Sequence, residues 1–184
     1  MRRALLLAAM ALLVLPATAL GATRYASPGG VGSGTCTEGA PCSLAYAITA
    51  ATAGDEVVVT PGTYPVAATI EATVALNIHG VAGQPRPRIV GAKEVGPLKS
   101  GEPLQISNLA IESTEALEGS LFAYADGNVF DHLELIANGP GALALRPGMN
   151  WSLTNSLLVA KGESSAGIFV QGVHPARRPC ATTR

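Results

Sequence analysis

The chain has 184 residues, a net charge of −1, and 14% charged against 48% hydrophobic residues. That balance excludes intrinsic disorder, which needs high charge and low hydrophobicity, and it leaves no basic footprint for nucleic acid. Its 21 glycines and 13 prolines are too many helix breakers for a helical bundle.

The first residues, Met1-Arg2-Arg3, are basic, and Ala4 to Leu15 is an unbroken apolar run. Pro16 breaks the run, and small residues follow at Ala17, Ala19, Gly21 and Ala22. Residues 1–22 therefore read as a secretory signal peptide. The run is shorter than the roughly 20 residues a membrane span needs, so no membrane span is expected after cleavage. Cleavage fits after Ala19, Gly21 or Ala22, and the expected localisation is extracellular, secreted or at the cell surface.

Residues 23–42 read as a Gly/Ser/Pro-rich loop, with Tyr25 to Pro41 irregular after a short strand-like start. Cys36 and Cys42 flank Thr-Glu-Gly-Ala-Pro, and in an oxidising compartment such a pair reads as a local disulfide. The second Cys pair or nearby His that a metal site needs is lacking, so no metal and no cofactor are expected. Gly30-Val31-Gly32-Ser33-Gly34-Thr35 has a superficial likeness to a phosphate-cradling loop. It lacks the leading apolar strand and the following Lys.

Ser43 to Ala53 reads as one helix. Ser43 is its N-cap, and Leu44, Ala47, Ile48 and Ala51 form one apolar stripe. Gly54 supplies the left-handed residue that closes it. Val57-Val58-Val59-Thr60 follows as a β-branched strand, and Pro61-Gly62-Thr63-Tyr64 as a turn.

Downstream the pattern is strand and turn, and it repeats. Asn108, His132 and Asn155 sit at one place in three short apolar strands, 24 and 23 residues apart. Gly119, Gly141 and Gly167 open a second set of strands, 22 and 26 apart. Two registers with one period of about two dozen residues indicate coils of a parallel β-solenoid. A β-sandwich ranks second. The Asp126-Gly127 and Asn138-Gly139 pairs do not lie between clean alternating strands, as its hairpins would require.

Arg24-Tyr25-Ala26-Ser27-Pro28-Gly29-Gly30, the Cys pair, Ser43 to Ala53, and Gly54-Asp55-Glu56 through Pro61-Gly62-Thr63-Tyr64 together resemble the N-terminal end of secreted right-handed parallel β-helix proteins with the pectin-lyase-like fold. The resemblance covers roughly residues 24–172. It implies an all-β, right-handed parallel β-helix with a short N-terminal capping helix, over residues 43–172. It also makes Asn108, His132 and Asn155 a stacked ladder of turn residues, with each Asn amide pairing to the coil above. It implies no particular activity, because fold does not fix function.

The candidate catalytic residues are His132, Asp131 and Asp126. Imidazole can exchange protons near neutral pH, but a ladder role fits the spacing of His132 better. His79 reads as a turn residue. Glu134, between Leu133 and Leu135, reads as solvent-facing. Candidate binding residues are Arg86, Arg88 and Lys93, which with Lys99 form the basic cluster of the repeat region and could contact an acidic polymer. Trp151 and Tyr124 are the rings expected to be exposed. Phe122, Phe130 and Phe169 are expected in the core.

The expected function is an exported, non-catalytic β-helix module contacting extracellular polysaccharide or a cell surface. The alternative is the N-terminal fragment of a polysaccharide lyase or glycoside hydrolase. Residues 173–184, with Arg178 before Pro179, cannot supply another strand. The expectation for this irregular tail is a sequence ending short of a longer β-helix. An uncapped last coil would self-associate, with Cys180 able to cross-link two chains.

Overall fold

The backbone of the repeat region winds through three short strands per coil, and each strand pairs in parallel with its counterpart one coil on. The structure is a computed structural model that describes residues 21–91, 96–114, 119–139, 141–162 and 165–170. The first sheet contains β1 (Thr23–Val31), β2 (Glu56–Val59), β5 (Leu76–Gly80), β8 (Leu104–Ser107), β11 (Asn128–Asp131) and β14 (Trp151–Thr154). The second contains β4 (Ile70–Ala72), β7 (Leu98–Ser100), β10 (Leu121–Ala123), β13 (Gly141–Leu145) and β16 (Ala166–Val170). The third contains β3 (Thr63–Val66), β6 (Arg88–Gly91), β9 (Ala110–Ser113), β12 (Glu134–Ala137) and β15 (Leu157–Ala160). This is a parallel β-helix, and the all-parallel pairing excludes the antiparallel sandwich.

The core follows from the register. Val57, Ile78, Ile106 and Phe130 stack in one inward column, Ile89, Ile111 and Leu135 in another, and Leu98, Leu121 and Leu143 in a third. All ten are at most 1% exposed. Their β-branched and aliphatic shapes suit a pleated surface buried on one side. Buried polar groups are matched as well. Asn128 accepts from the backbone N–H of Leu104 and donates to the Ala125 carbonyl, so an amide replaces an aliphatic without an orphaned group.

The N-terminal end differs from the sequence reading in two places. The expected loop from Tyr25 is the nine-residue strand β1, in register with β2 from Thr23 to Ala26. Its Gly and Pro residues lie in the second half, beyond the paired ones. The helix is α1 (Leu44–Thr49), shorter than the expected Ser43 to Ala53. Ser43 is the N-cap and accepts from the N–H of Tyr46. The helix stops at Ala50, and Gly54, at φ +88°, closes the separate turn that follows.

That turn is held by Asp55, which is 2% exposed. Its carboxylate accepts from the N–H of Ala22 at 2.8 Å, the N–H of Thr52 at 2.9 Å and the Thr52 hydroxyl at 3.0 Å. Burial alone would raise its pKa. The hydrogen bonds from Thr52 and Ala22, aided by the Arg24 charge, outweigh that and hold the carboxyl below its ordinary value. Arg24 occupies an inward position of β1 and donates to the Ala47 carbonyl at 3.1 Å, tying the helix to the first sheet. The buried Tyr64 hydroxyl lies 2.7 Å from the Thr60 carbonyl and 3.0 Å from the Ala26 carbonyl, with its one hydrogen shared between them. Gly62, at φ +143°, lies so close to Pro28 that a Cβ there would fall 2.4 Å from its Cγ. Cys36 and Cys42 form a disulfide, with Cα atoms 4.9 Å apart, that closes the segment over β1.

Other expectations also change. Phe122 and Phe130 are fully buried, but Phe169 is 37% exposed. Tyr124 is half-buried, its ring edge-on to Phe122 and stacked under Arg146. Residues 1–20, Lys93, and residues 171–184 with Cys180 lie outside the described residues.

Asp55→Ala should cost about 2–4 kcal/mol, because it leaves buried N–H groups unpaired, and chemical denaturation measures this. Because the folded pKa of Asp55 lies below its unfolded value, its stabilisation is complete above that value and fades as pH falls through the folded one. The gap between wild type and Asp55→Ala should therefore narrow below about pH 4.

Candidate functional site

The outer face of the first sheet is mostly polar, with Val58 and Val129 the aliphatic members of its rows. Register places Glu56, Asn77, Gln105, Val129 and Ser152 in one outward row and Val58, His79, Ser107, Asp131 and Thr154 in the next. Successive members of a row are one strand spacing apart, about 4.8 Å. Alternation explains why these residues face out: on β5, Leu76, Ile78 and Gly80 are buried while Asn77 and His79 between them are not. His79 is therefore a strand residue on the outer face, not the turn residue expected.

The corner after these strands is set by Asn108, His132 and Asn155, at φ +55°, +50° and +49°. Asn and His are among the few non-glycine residues that accept the left-handed region, so the ladder spacing is a backbone requirement. The side chains do not stack amide on amide as expected. Asn108 donates from Nδ2 to the Val81 carbonyl, and Asn155 donates to Asp131 Oδ1 at 2.8 Å. The His132 ring turns to Asp131 Oδ2 through Nδ1 at 2.6 Å.

Here the sheet face and the corner enclose an open groove of about 410 Å³. It is lined by His79, Gly80, Ala82, Gly83, Ser107, Asn108, Asp131 and His132, and its volume is in the range of small-ligand sites. One carboxylate, Asp131, lines it, and a second, Glu56, bonds to the lining His79. Asp131 accepts from the hydroxyl of Thr154, from His132 and from Asn155, and these bonds, Thr154 first, hold its carboxyl well below the usual range. Glu56 meets His79 Nε2 at 2.8 Å and accepts from the Thr23 hydroxyl at 3.0 Å. The bond to His79 is the main reason its carboxyl is also lowered. His79 Nδ1 lies 3.1 Å from the Gly80 carbonyl.

The groove thus gathers His132 and Asp131 from the sequence candidates and adds His79 and Ser107, with Glu56 bonded to His79. The alternation of β5 was the signal that could have found His79. Glu56 and His79 are 23 residues apart, a pairing that only the coil register makes visible. Asp126 is elsewhere, in the turn before β11, where its Oδ1 accepts from the N–H of Asn150 at 2.6 Å.

The basic cluster is not a free cationic patch. On the third sheet, Arg88 pairs with Glu112 at 2.5 Å and lies 3.9 Å from Glu134, and Arg86 lies 3.8 Å from Glu134. Glu134 is therefore half-buried in a charge-balanced group rather than pointing free into solvent. Lys99 meets Glu71 at 3.1 Å on the second sheet. Trp151 is 39% exposed, but its register partner is the buried Asn128. It holds an inward position on the last described coil, away from the groove.

No protein-family model, curated protein or solved structure matches this chain.

His132→Val should destabilise by about 1–2 kcal/mol, since a β-branched residue resists the left-handed region. His132→Asn should stay within about 0.5 kcal/mol of wild type. Thermal or urea unfolding of the two variants distinguishes this backbone role from a side-chain one.

Proposed function

We infer that this chain is an exported, non-catalytic β-helix module of the pectin-lyase-like kind, which contacts polysaccharide outside the cell or at its surface. The observation that carries this is the pair of outward rows on the first sheet. Amides, hydroxyls and carboxylates recur there at strand spacing beside a sugar-sized groove. An extended glycan needs such a surface, because its repeated hydroxyls can each meet a side chain fixed by the sheet.

The Arg86–Arg88 group is a poorer candidate for the contact, since its charges are already balanced by Glu112 and Glu134. The ligand surface is therefore assigned to the first sheet. Export is supported by the basic and apolar N-terminal segment and by the Cys36–Cys42 disulfide.

A glycan array probed with the chain lacking residues 1–22 tests the reading. Binding to one or more polysaccharides, reduced at least tenfold in Gln105→Ala/Ser107→Ala, is the expected result. Binding that survives this change but is lost in Arg86→Ala/Arg88→Ala would move the site to the third sheet. No binding to any glycan would overturn the reading.

A further inference from the structure

Several side-chain donors around the groove are already engaged. Asn108 gives one of its two amide hydrogens to Val81, Asn155 gives one to Asp131, and Thr154 gives its hydroxyl hydrogen to Asp131. The Asp131 carboxylate can only accept, so the hydrogen of a neutral His132 ring sits on Nδ1. Both ring nitrogens of His79 face acceptors, Glu56 and the Gly80 carbonyl. What remains for a ligand is mostly acceptor: the Nε2 lone pair of His132, the amide oxygen of Asn108, the carboxylate of Asp131 and the two-way hydroxyl of Ser107. Among the lining residues Asp131 contributes a negative charge, and none is Lys or Arg.

A ligand unit that fits must bring hydrogen-bond donors and, best of all, positive charge. We propose that the groove is a subsite for a cationic amino sugar, the de-N-acetylated unit of an amino-glycan. Its ammonium would donate to Asp131, Asn108 and the Nε2 of His132, while its ring hydroxyls meet Ser107. The assignment rests on the carbohydrate-binding reading and adds the chemical class of the sugar.

Calorimetric titration of the chain lacking residues 1–22 with a glucosamine hexamer and with its N-acetylated counterpart tests the proposal. At about pH 7 the amine form should bind on the order of tenfold more tightly, the effect of one charge-assisted hydrogen bond. Asp131→Asn should lose the preference, and its melting curve reports whether it has folded. If it has not, the wild-type comparison of the two hexamers decides alone. Equal affinity for the two hexamers at about pH 7 overturns the amino-sugar assignment but leaves the carbohydrate reading intact. Absence of binding to either hexamer overturns it too, and the glycan array then tells whether the carbohydrate reading survives.

Discussion

Parallel pairing that keeps register from one coil to the next is the constraint on which everything else rests. A strand side chain alternates faces with period two, so a slip of one residue would exchange the core for the surface. Ile78, Ile106 and Phe130 would then face water, and His79, Ser107 and Asp131 would be buried among aliphatics. The cost of burying such groups unpaired fixes the register from both sides. The left-handed corner at Asn108, His132 and Asn155 helps to hold it, because these three coils turn at the same place before entering the third sheet.

The outer face inherits its geometry from this core. Glu56 and His79 are distant in the chain but adjacent in space because β2 and β5 stack. Asp131 reaches the next coil through Thr154 and Asn155, so the carboxylate that lines the groove also ties two coils together. The N-terminal end is organised by the same means. Asp55 and Tyr64 satisfy backbone groups of the first strand and its neighbours, while Arg24 fills an inward position under α1 with a hydrogen-bonded charge in place of an aliphatic.

The repeat was legible because identical backbone demands recur at a fixed spacing. The left-handed corner admits few residue types, and inward columns admit only apolar or fully satisfied ones. The Gly-Asp and Pro-Gly-Thr-Tyr segments were legible for the same reason: Asp55, Gly62 and Tyr64 each meet a steric or hydrogen-bonding need that few alternatives satisfy. The groove was legible only in part. His132 and Asp131 are neighbours in sequence. Glu56 with His79, and Arg88 with Glu112, are 23 and 24 residues apart, one repeat period. The coil from β2 to β5 advances 21 residues and the next 28, so the period alone does not select those partners. The acids beside Arg86, Arg88 and Lys99 were not legible, because charge density along the chain says nothing about groups stacked from neighbouring coils. The strand β1 was hidden by the glycines and prolines of its second half, since backbone pairing with β2 needs only its first four residues.

Register can be read directly with engineered cysteines. Gln105 and Val129 are outward partners on adjacent strands, at a separation of about 4.8 Å that a disulfide can span. A Gln105→Cys/Val129→Cys chain should close this bond on mild oxidation, seen as protection from alkylation by mass spectrometry. The shifted pair Gln105→Cys/Phe130→Cys, one side chain outside and one in the core, should remain fully alkylated after unfolding. Closure of the shifted pair in place of the aligned one would contradict the register, and with it the face and the groove built upon it.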